Sequence, residues 1–428
     1  MKSHKPSILK RLMMASTNIR ESEVHACSLA FLMAFLLMGS YYVLRPVRDA
    51  LASDWTDAEV SVLWTLNFFF SASAVLLYGW AVSYVRFKRL VPFVYISFSL
   101  SFTLFYLCIV FYSHPVAVDK TFYVWVSVFS LFHISVFWSF MADLFSKEQA
   151  GRLFAIIGAG ASAGALAGPS IPTLFSGLVG AYTLLPISSV CLLSVVPIIW
   201  KLQSLKEQTL EDSSLSKENP RHAIGGNPFA GFVDFIKNPY LLSIGFFLVL
   251  YTSVASIIYF QQKNLLADFT LEQRSQILGA VDWIVNGLTF TIAFFATGRI
   301  VKYCGMPVTL SSIPFFMCGG LFLSAIAPVL LVTLLLQVAR RAGNYSITRP
   351  AREMLFTQVT REERFKAKPV VDIVAYRGGD MVTSWGIASL TQGLGFGMGA
   401  LAAVGAGIAS IWGILAIYIG RTYERDAE

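Results

Sequence analysis

The chain has 428 residues, of which 56% are hydrophobic and only 14% charged, with a mean hydropathy of +0.64. That is far too apolar for one or two soluble domains, and it describes a polytopic membrane protein. The net charge of +8 follows from where lysine and arginine fall between apolar stretches. A nucleic-acid footprint would need a concentrated soluble basic face, so nucleic acid is excluded as a partner.

Residues 1–24 are polar and basic and read as a cytoplasmic tail. The apolar run behind them is too long for a secretory signal and has no small-residue cleavage site, so the first span is expected to be retained. Stretches long enough to cross roughly 30 Å of hydrocarbon as a helix then recur. They fall at about 25–51, 58–85, 89–112, 121–145, 152–178, 180–202, 239–263, 274–303, 307–327, 329–357, 367–392 and 394–420. The pattern predicts an all-α membrane protein of twelve transmembrane helices. Lysine and arginine gather on alternate connections: the N-terminal tail, Arg86/Lys88/Arg89, Lys147/Arg152, the central segment, Arg299/Lys302, Arg361/Arg364/Lys366/Lys368 and Arg421/Arg425. The opposite connections hold only Lys120, Lys263 and Arg274, which predicts both termini on the cytoplasmic side.

The polar segment 203–238 reads as a cytoplasmic linker between bundles at 25–202 and 239–420, with 421–428 as a second tail. Two short matches support duplicated halves: "DWT" at Asp54 with "DFT" at Asp268, and "SKEQ" at Ser146 with "TREE" at Thr360, both 214 positions apart. This six-plus-six layout resembles the major facilitator transporters, whose halves rock about a central site.

Charge inside the spans is costly and normally faces the bundle interior with partners. Here Arg45, Arg48, Arg340, Arg341, Arg349, Arg352 and Arg377 stand against Asp49, Asp143, Asp282, Glu353, Asp372 and Asp380. One motif, Y-x-x-x-R-P-x-R-(D/E)-x-L, is written twice, at Tyr41–Leu51 in the first span and Tyr345–Leu355 in the tenth. On a helix, Arg45, Arg48 and Asp49 share a face, as do Arg349, Arg352 and Glu353. Pro46 and Pro350 each free a carbonyl, tolerable where polar groups or water reach it. Arginine's planar fork suits phosphate or carboxylate oxygens, so the preference for arginine points to a small anionic substrate. Closed salt bridges holding helices together are the alternative. Tyr41, Tyr42, Tyr259, Tyr345 and Tyr376 lie near these charges in sequence and could stack on a base or pair a guanidinium, or be ordinary core aromatics.

Gly160, Gly164 and Gly168 in "GAGASAGALAGP" have the spacing of close helix packing and lack the G-K-(S/T) of a nucleotide loop. The five cysteines and five histidines show no metal-ligand, C-x-x-C or H-E-x-x-H spacing, so no metal, cofactor or covalent catalysis is expected and the chain is not read as an enzyme.

Three separated stretches are similar to the nucleotide transporters of the ATP:ADP antiporter type: "YYVLRPVRDAL", "FWSFMADLFSKEQAGRLFAIIGAGAS", and "YSITRPAREM" followed by "KAKPVVDIV". The resemblance implies a short bacterial member in the inner membrane, with the family's lysines of spans 1 and 10 falling on Arg48 and Arg352 and its span 4 acid on Asp143. The seventh span departs, because the family's glutamate falls at Tyr259, four residues before Lys263. That departure weighs against true nucleotide exchange.

The leading expectation is a secondary transporter of an organic anion, a nucleotide or phosphate ester, working by alternating access as a monomer. Substrate contacts are expected from Arg45, Arg48, Arg349, Arg352, Arg377, Tyr41, Tyr259 and Tyr345, and gating or proton coupling from Asp49, Asp143, Lys263, Asp282, Glu353, Asp372 and Asp380. The alternatives are a proton-coupled carrier of another solute, such as a carboxylate-rich metal chelate, and a membrane receptor without flux.

Overall fold

The structure, a computed structural model, describes residues 19–84, 87–112, 116–206, 235–295, 297–356, 358–359 and 375–425. Among them there is no β-strand. The helices are α1 Val24–Leu51, α2 Asp57–Tyr84, α3 Phe87–Phe111, α4 Val116–Leu144, α5 Lys147–Ala167, α6 Ser170–Val179 and α7 Leu184–Leu205. They continue as α8 Pro239–Leu265, α9 Leu271–Phe295, α10 Thr297–Ile326, α11 Leu330–Gly343, α12 Arg349–Leu355, α13 Tyr376–Ala388 and α14 Met398–Arg425. Five-residue π-turns follow α11 at Asn344–Thr348 and α13 at Ser389–Gly393.

Eight of the expected spans are met by helices long and apolar enough to cross a membrane, by length and composition. The tenth falls short for a physical reason: a π-turn ends α11 after 14 residues, with Arg340 and Arg341 in its last turn. Of the eleventh, residues 367–374 lie outside the described residues, and α13 runs into a π-turn at Ser389–Gly393. The eighth span was expected to run to 303, but α9 stops at Phe295 and the following residues join α10. Within α10 the chain kinks at Gly305, whose φ of 75° a side chain would resist. The amide of Met306, beyond the kink, donates to Glu424 at 2.8 Å.

The short sequence matches turn out to be helix starts. Thr56 and Glu59 exchange hydrogen bonds before α2, Thr270 and Gln273 do so before α9, and Ser146 and Gln149 before α5. Each is a T/S-x-x-E/Q capping box that satisfies orphan amides at a helix N-terminus. Thr360–Glu363 lies outside the described residues.

The described residues group into two compact units, Met1–Val47 with Ser73–His222 and Arg48–Ala72 with Ala223–Glu428. In the first, a β-carbon on Gly160 or Gly164 would collide with the backbone of Phe31 or Phe35, so α5 and α1 approach as closely as the glycine spacing predicts. Ser188 of α7 donates to the Ser40 carbonyl of α1 at 3.0 Å, and Tyr95 of α3 to the His133 carbonyl of α4 at 2.9 Å. In the second unit α14 packs along α10 and α8. Phe247 and Tyr251 of α8 meet the sealed ring of Trp412 with centroids 5.5 and 5.7 Å apart.

Candidate functional site

Halfway along the helices of the second unit, polar side chains converge. At 1.5 Å per residue, Tyr251 lies ~2 Å from the middle of α8, Trp412 ~1 Å from that of α14, and Arg340 ~4 Å from that of the stretch Leu330–Leu355. Arg340 is 7% exposed. Its Nη1 donates to the Tyr251 hydroxyl at 3.1 Å and its Nη2 to Gln337 Oε1 at 2.6 Å, while the guanidinium lies 5.8 Å from the Tyr251 ring centre. Among the described residues it makes no ion pair. Tyr251 and Tyr376 lie with ring centres 6.1 Å apart, and Tyr345, in the π-turn after α11, is within electrostatic range of both. Arg377 sits 6.0 Å from the Tyr376 ring centre, and the charges of Arg377 and Arg340 both act on half-buried Asp380. Among the described residues the cluster thus holds two cations and one acid.

The neighbouring arginine behaves differently. Arg341 meets Asp282 of α9 at 2.5 Å, with both side chains nearly sealed, at 6% and 4%. Asp282, expected to gate or couple, is therefore committed to a buried ion pair near the middle of α9.

A third set sits at helix ends. Lys263 pairs with Asp57 at 2.8 Å and donates to the Trp55 carbonyl and Asn264 Oδ1. Asn264 and Thr391 also donate to the Asp57 carboxylate, at 3.3 and 2.8 Å. Beside them Arg274 meets Asp54 at 2.5 Å and donates to the carbonyls of Leu266, Ala267 and Ala50. Tyr259 packs its ring on Trp64 and Phe260, an ordinary aromatic environment.

The twice-written motif has one local arrangement in both copies: the second arginine binds the acid beside it. Arg48 meets Asp49 at 2.6 Å and Arg352 meets Glu353 at 3.3 Å. The backbones differ, since α1 runs through Pro46 whereas Pro350 opens α12 directly after the π-turn. A π-turn there relieves the contact between the proline ring and the preceding turn. Arg349 is exposed, and it and Arg352 lie ~10 and ~14 Å from the middle of their stretch.

In the first unit, Arg45 lies 5.8 Å from the ring centre of Tyr42, and Tyr41 stacks on His133 at 4.9 Å. His133 donates from Nδ1 to the Phe129 carbonyl at 3.0 Å. Asp143 is exposed and bound by a lysine, Lys206, at 3.0 Å. At the foot of α1, outside the span, Glu23 is gripped by both ends of Arg152 at 2.9 and 2.8 Å and by Gln149 at 3.2 Å. Burial opposes its charge, but the hydrogen bonds from Arg152, the Arg20 amide and Gln149 outweigh it and hold the carboxyl below its ordinary value. Asp372 lies outside the described residues.

Of the expected residues, the structure therefore gathers Arg377, Asp380 and Tyr345 in one cluster and leaves Arg45, Arg48, Arg349, Arg352, Tyr41 and Tyr259 elsewhere. Sequence reasoning passed over Arg340, Tyr251 and Gln337 as site residues. The available signal was position, because Arg340 and Tyr251 fall near the middles of the tenth and seventh spans.

Apolar spans surrounding buried charge define a multi-pass membrane protein of transporter type. A family model described as Major Facilitator Superfamily matches residues 30–364, and the chain belongs to that superfamily. Among solved structures it is similar to a bacterial homologue of the human lysosomal transporter Spinster, with TM-score 0.61 and 13% identity over 95% of this chain and 99% of that one. It is also similar to the POT family transporter PepTSo, with TM-score 0.64 and 13% identity over 94% and 98% of the two chains. The nucleoside transporter NupG matches with TM-score 0.61 and 12% identity over 94% and 99%. At these identities the likeness is one of fold. No curated protein sequence matches the chain.

Proposed function

We propose that this protein is a secondary transporter that moves an organic anion by alternating access, with nucleotides or phosphate esters, in ATP/ADP-type exchange, as the leading substrate class. One observation carries the reading. Arg48, Arg341 and Arg352 each meet an acid, whereas Arg340 and Arg377 both act at range on Asp380, leaving a positive surplus at mid-height among the described residues of the second unit. A buried cation in low dielectric favours an anion that can reach it. The resemblance of the two arginine motifs to nucleotide transporters supports the phosphate class, and the span 7 departure at Tyr259 keeps other organic anions within it. No ATP-hydrolysing motif is present in the sequence, so exchange or ion coupling drives the cycle. The protein acts as a monomer in the bacterial inner membrane with both termini cytoplasmic.

A second reading, a proton-coupled carrier of a carboxylate-rich solute, is favoured by Asp380, a half-buried acid that two arginines address. Uptake of labelled ATP, ADP, phosphate esters and polycarboxylates into proteoliposomes, with and without internal substrate and with and without a pH gradient, separates the two. Exchange that needs internal substrate is expected. Movement of only uncharged or cationic solutes would end the anion reading.

A further inference from the structure

We propose that Arg340 is the contact for the oxyanion group of the substrate, and that Asp380 is the built-in counter-charge with which that group competes. The assignment rests on the anion-transport reading and moves the contact away from the arginines of the twice-written motif.

Adjacent residues on a helix point about 100° apart, so Arg340 and Arg341 address different neighbours. Arg341 finds a carboxylate in Asp282 and is neutralised. Arg340 finds a phenol and an amide, which satisfy hydrogen bonds but leave its charge uncompensated at contact distance. Its Nε is buried and has no hydrogen-bond partner. Nε together with the adjacent Nη forms the edge that binds two oxygens of a phosphate or carboxylate at once. Gln337 and Tyr251 hold the fork in place, so little rotamer freedom remains to be lost on binding. Asp380 lies within electrostatic range of Arg340 and of Arg377, three residues before it on α13. With both guanidinium groups in electrostatic range of one acid, the described residues of the cluster retain one positive charge for a substrate oxyanion.

Position agrees with this role. Secondary transporters of this architecture place their sites near the midplane, at irregular helices. Arg340 lies near the middle of its stretch and four residues before a π-turn, a feature frequent at functional sites. Arg349 and Arg352 sit toward the end of that stretch, where they can attract an anion but not hold it centrally.

The test uses the full chain, purified in detergent, with ADP as a phosphate-ester probe and citrate as a polycarboxylate probe, each titrated by calorimetry. Arg340→Gln is expected to weaken whichever probe the wild type binds by tenfold or more, and Arg340→Lys to recover part of that loss. Asp380→Asn is expected to tighten the same probe severalfold, because the competing carboxylate is gone. A folded Arg340→Gln protein binding within twofold of wild type would overturn the assignment while leaving anion transport standing. So would an Asp380→Asn protein as weak as Arg340→Gln. If Arg340→Gln does not fold, Asp380→Asn decides, since no purely structural role for Arg340 makes removal of an acid tighten an anion. A wild type that binds neither probe and transports an uncharged solute would overturn the transport reading and this assignment together.

Discussion

At the helix ends of the second unit, Lys263 and Asp57 meet at 2.8 Å with both side chains almost sealed, and Asn264 and Thr391 complete the carboxylate's partners. At mid-height in the same unit Arg340 is nearly as buried, yet it binds neutral oxygens. The first arrangement is closed: each charge has an opposite charge and each polar group a partner, so nothing further is required of a ligand. The second satisfies hydrogen bonds and leaves charge over. The difference teaches that burial of charge does not by itself identify a binding site in a membrane protein, whereas imbalance of charge marks a candidate for one. Arg341 and Asp282 make the contrast sharper, because they stand at the same height as Arg340 and are matched charge for charge.

The largest expected effect breaks the closed pair at mid-height. Asp282→Asn should cost about 3–5 kcal/mol, since it leaves Arg341 buried without its carboxylate, and Arg341→Met/Asp282→Leu together should recover most of that loss. Melting temperatures of detergent-purified variants measure both. A double variant no better than the single would show that the two side chains do not act as a pair. Loss of the Lys263 ammonium ranks next. Lys263→Gln should cost about 2–3 kcal/mol, because Asp57 keeps Asn264 and Thr391 as hydrogen-bond partners. It should also expose a cysteine at Ser53, now 7% exposed, to a hydrophilic thiol reagent. Unchanged melting and labelling would mean that the contact contributes no more than a surface pair.

The smallest effect comes from the closed set nearest water, Glu23 with Arg152 and Gln149. Its carboxyl is held below the ordinary carboxylate value, so its contribution is present above the unfolded-state pKa and is lost as pH falls through the lowered folded-state pKa. Thermal stability of the wild type should therefore fall more steeply than that of Glu23→Gln on the acid side of the carboxylate range, and the two should run parallel near neutral pH at a constant offset. Parallel curves throughout would remove the assigned role of that carboxylate.

Much was legible in the residues alone, where the deciding physics is local. Apolar length predicts spans because an unpaired backbone amide is intolerable in hydrocarbon, whichever helix lies beside it. The Thr56, Ser146 and Thr270 helix starts follow from a side chain three residues from its partner. The glycines at 160, 164 and 168 fall four apart on one helix face, and they meet α1 as that spacing predicts. Superfamily membership follows the same pattern, since the recurrence of apolar spans is a property of chain order.

The identity of the cluster was not legible, and Arg340 with Arg341 shows why. In the sequence they are two like charges side by side, with the same composition around them. One turns toward α9, where Asp282 waits, and the other toward α8, where the chain supplies Tyr251. Which side chain fills each direction depends on how three helices pack, a property of residues 59 and 89 positions apart that no spacing within α11 encodes. Sequence by itself determined that charge lies inside the membrane spans; tertiary structure alone decided which charge is balanced, because neutralisation requires a carboxylate within a few ångströms and not merely one elsewhere in the chain.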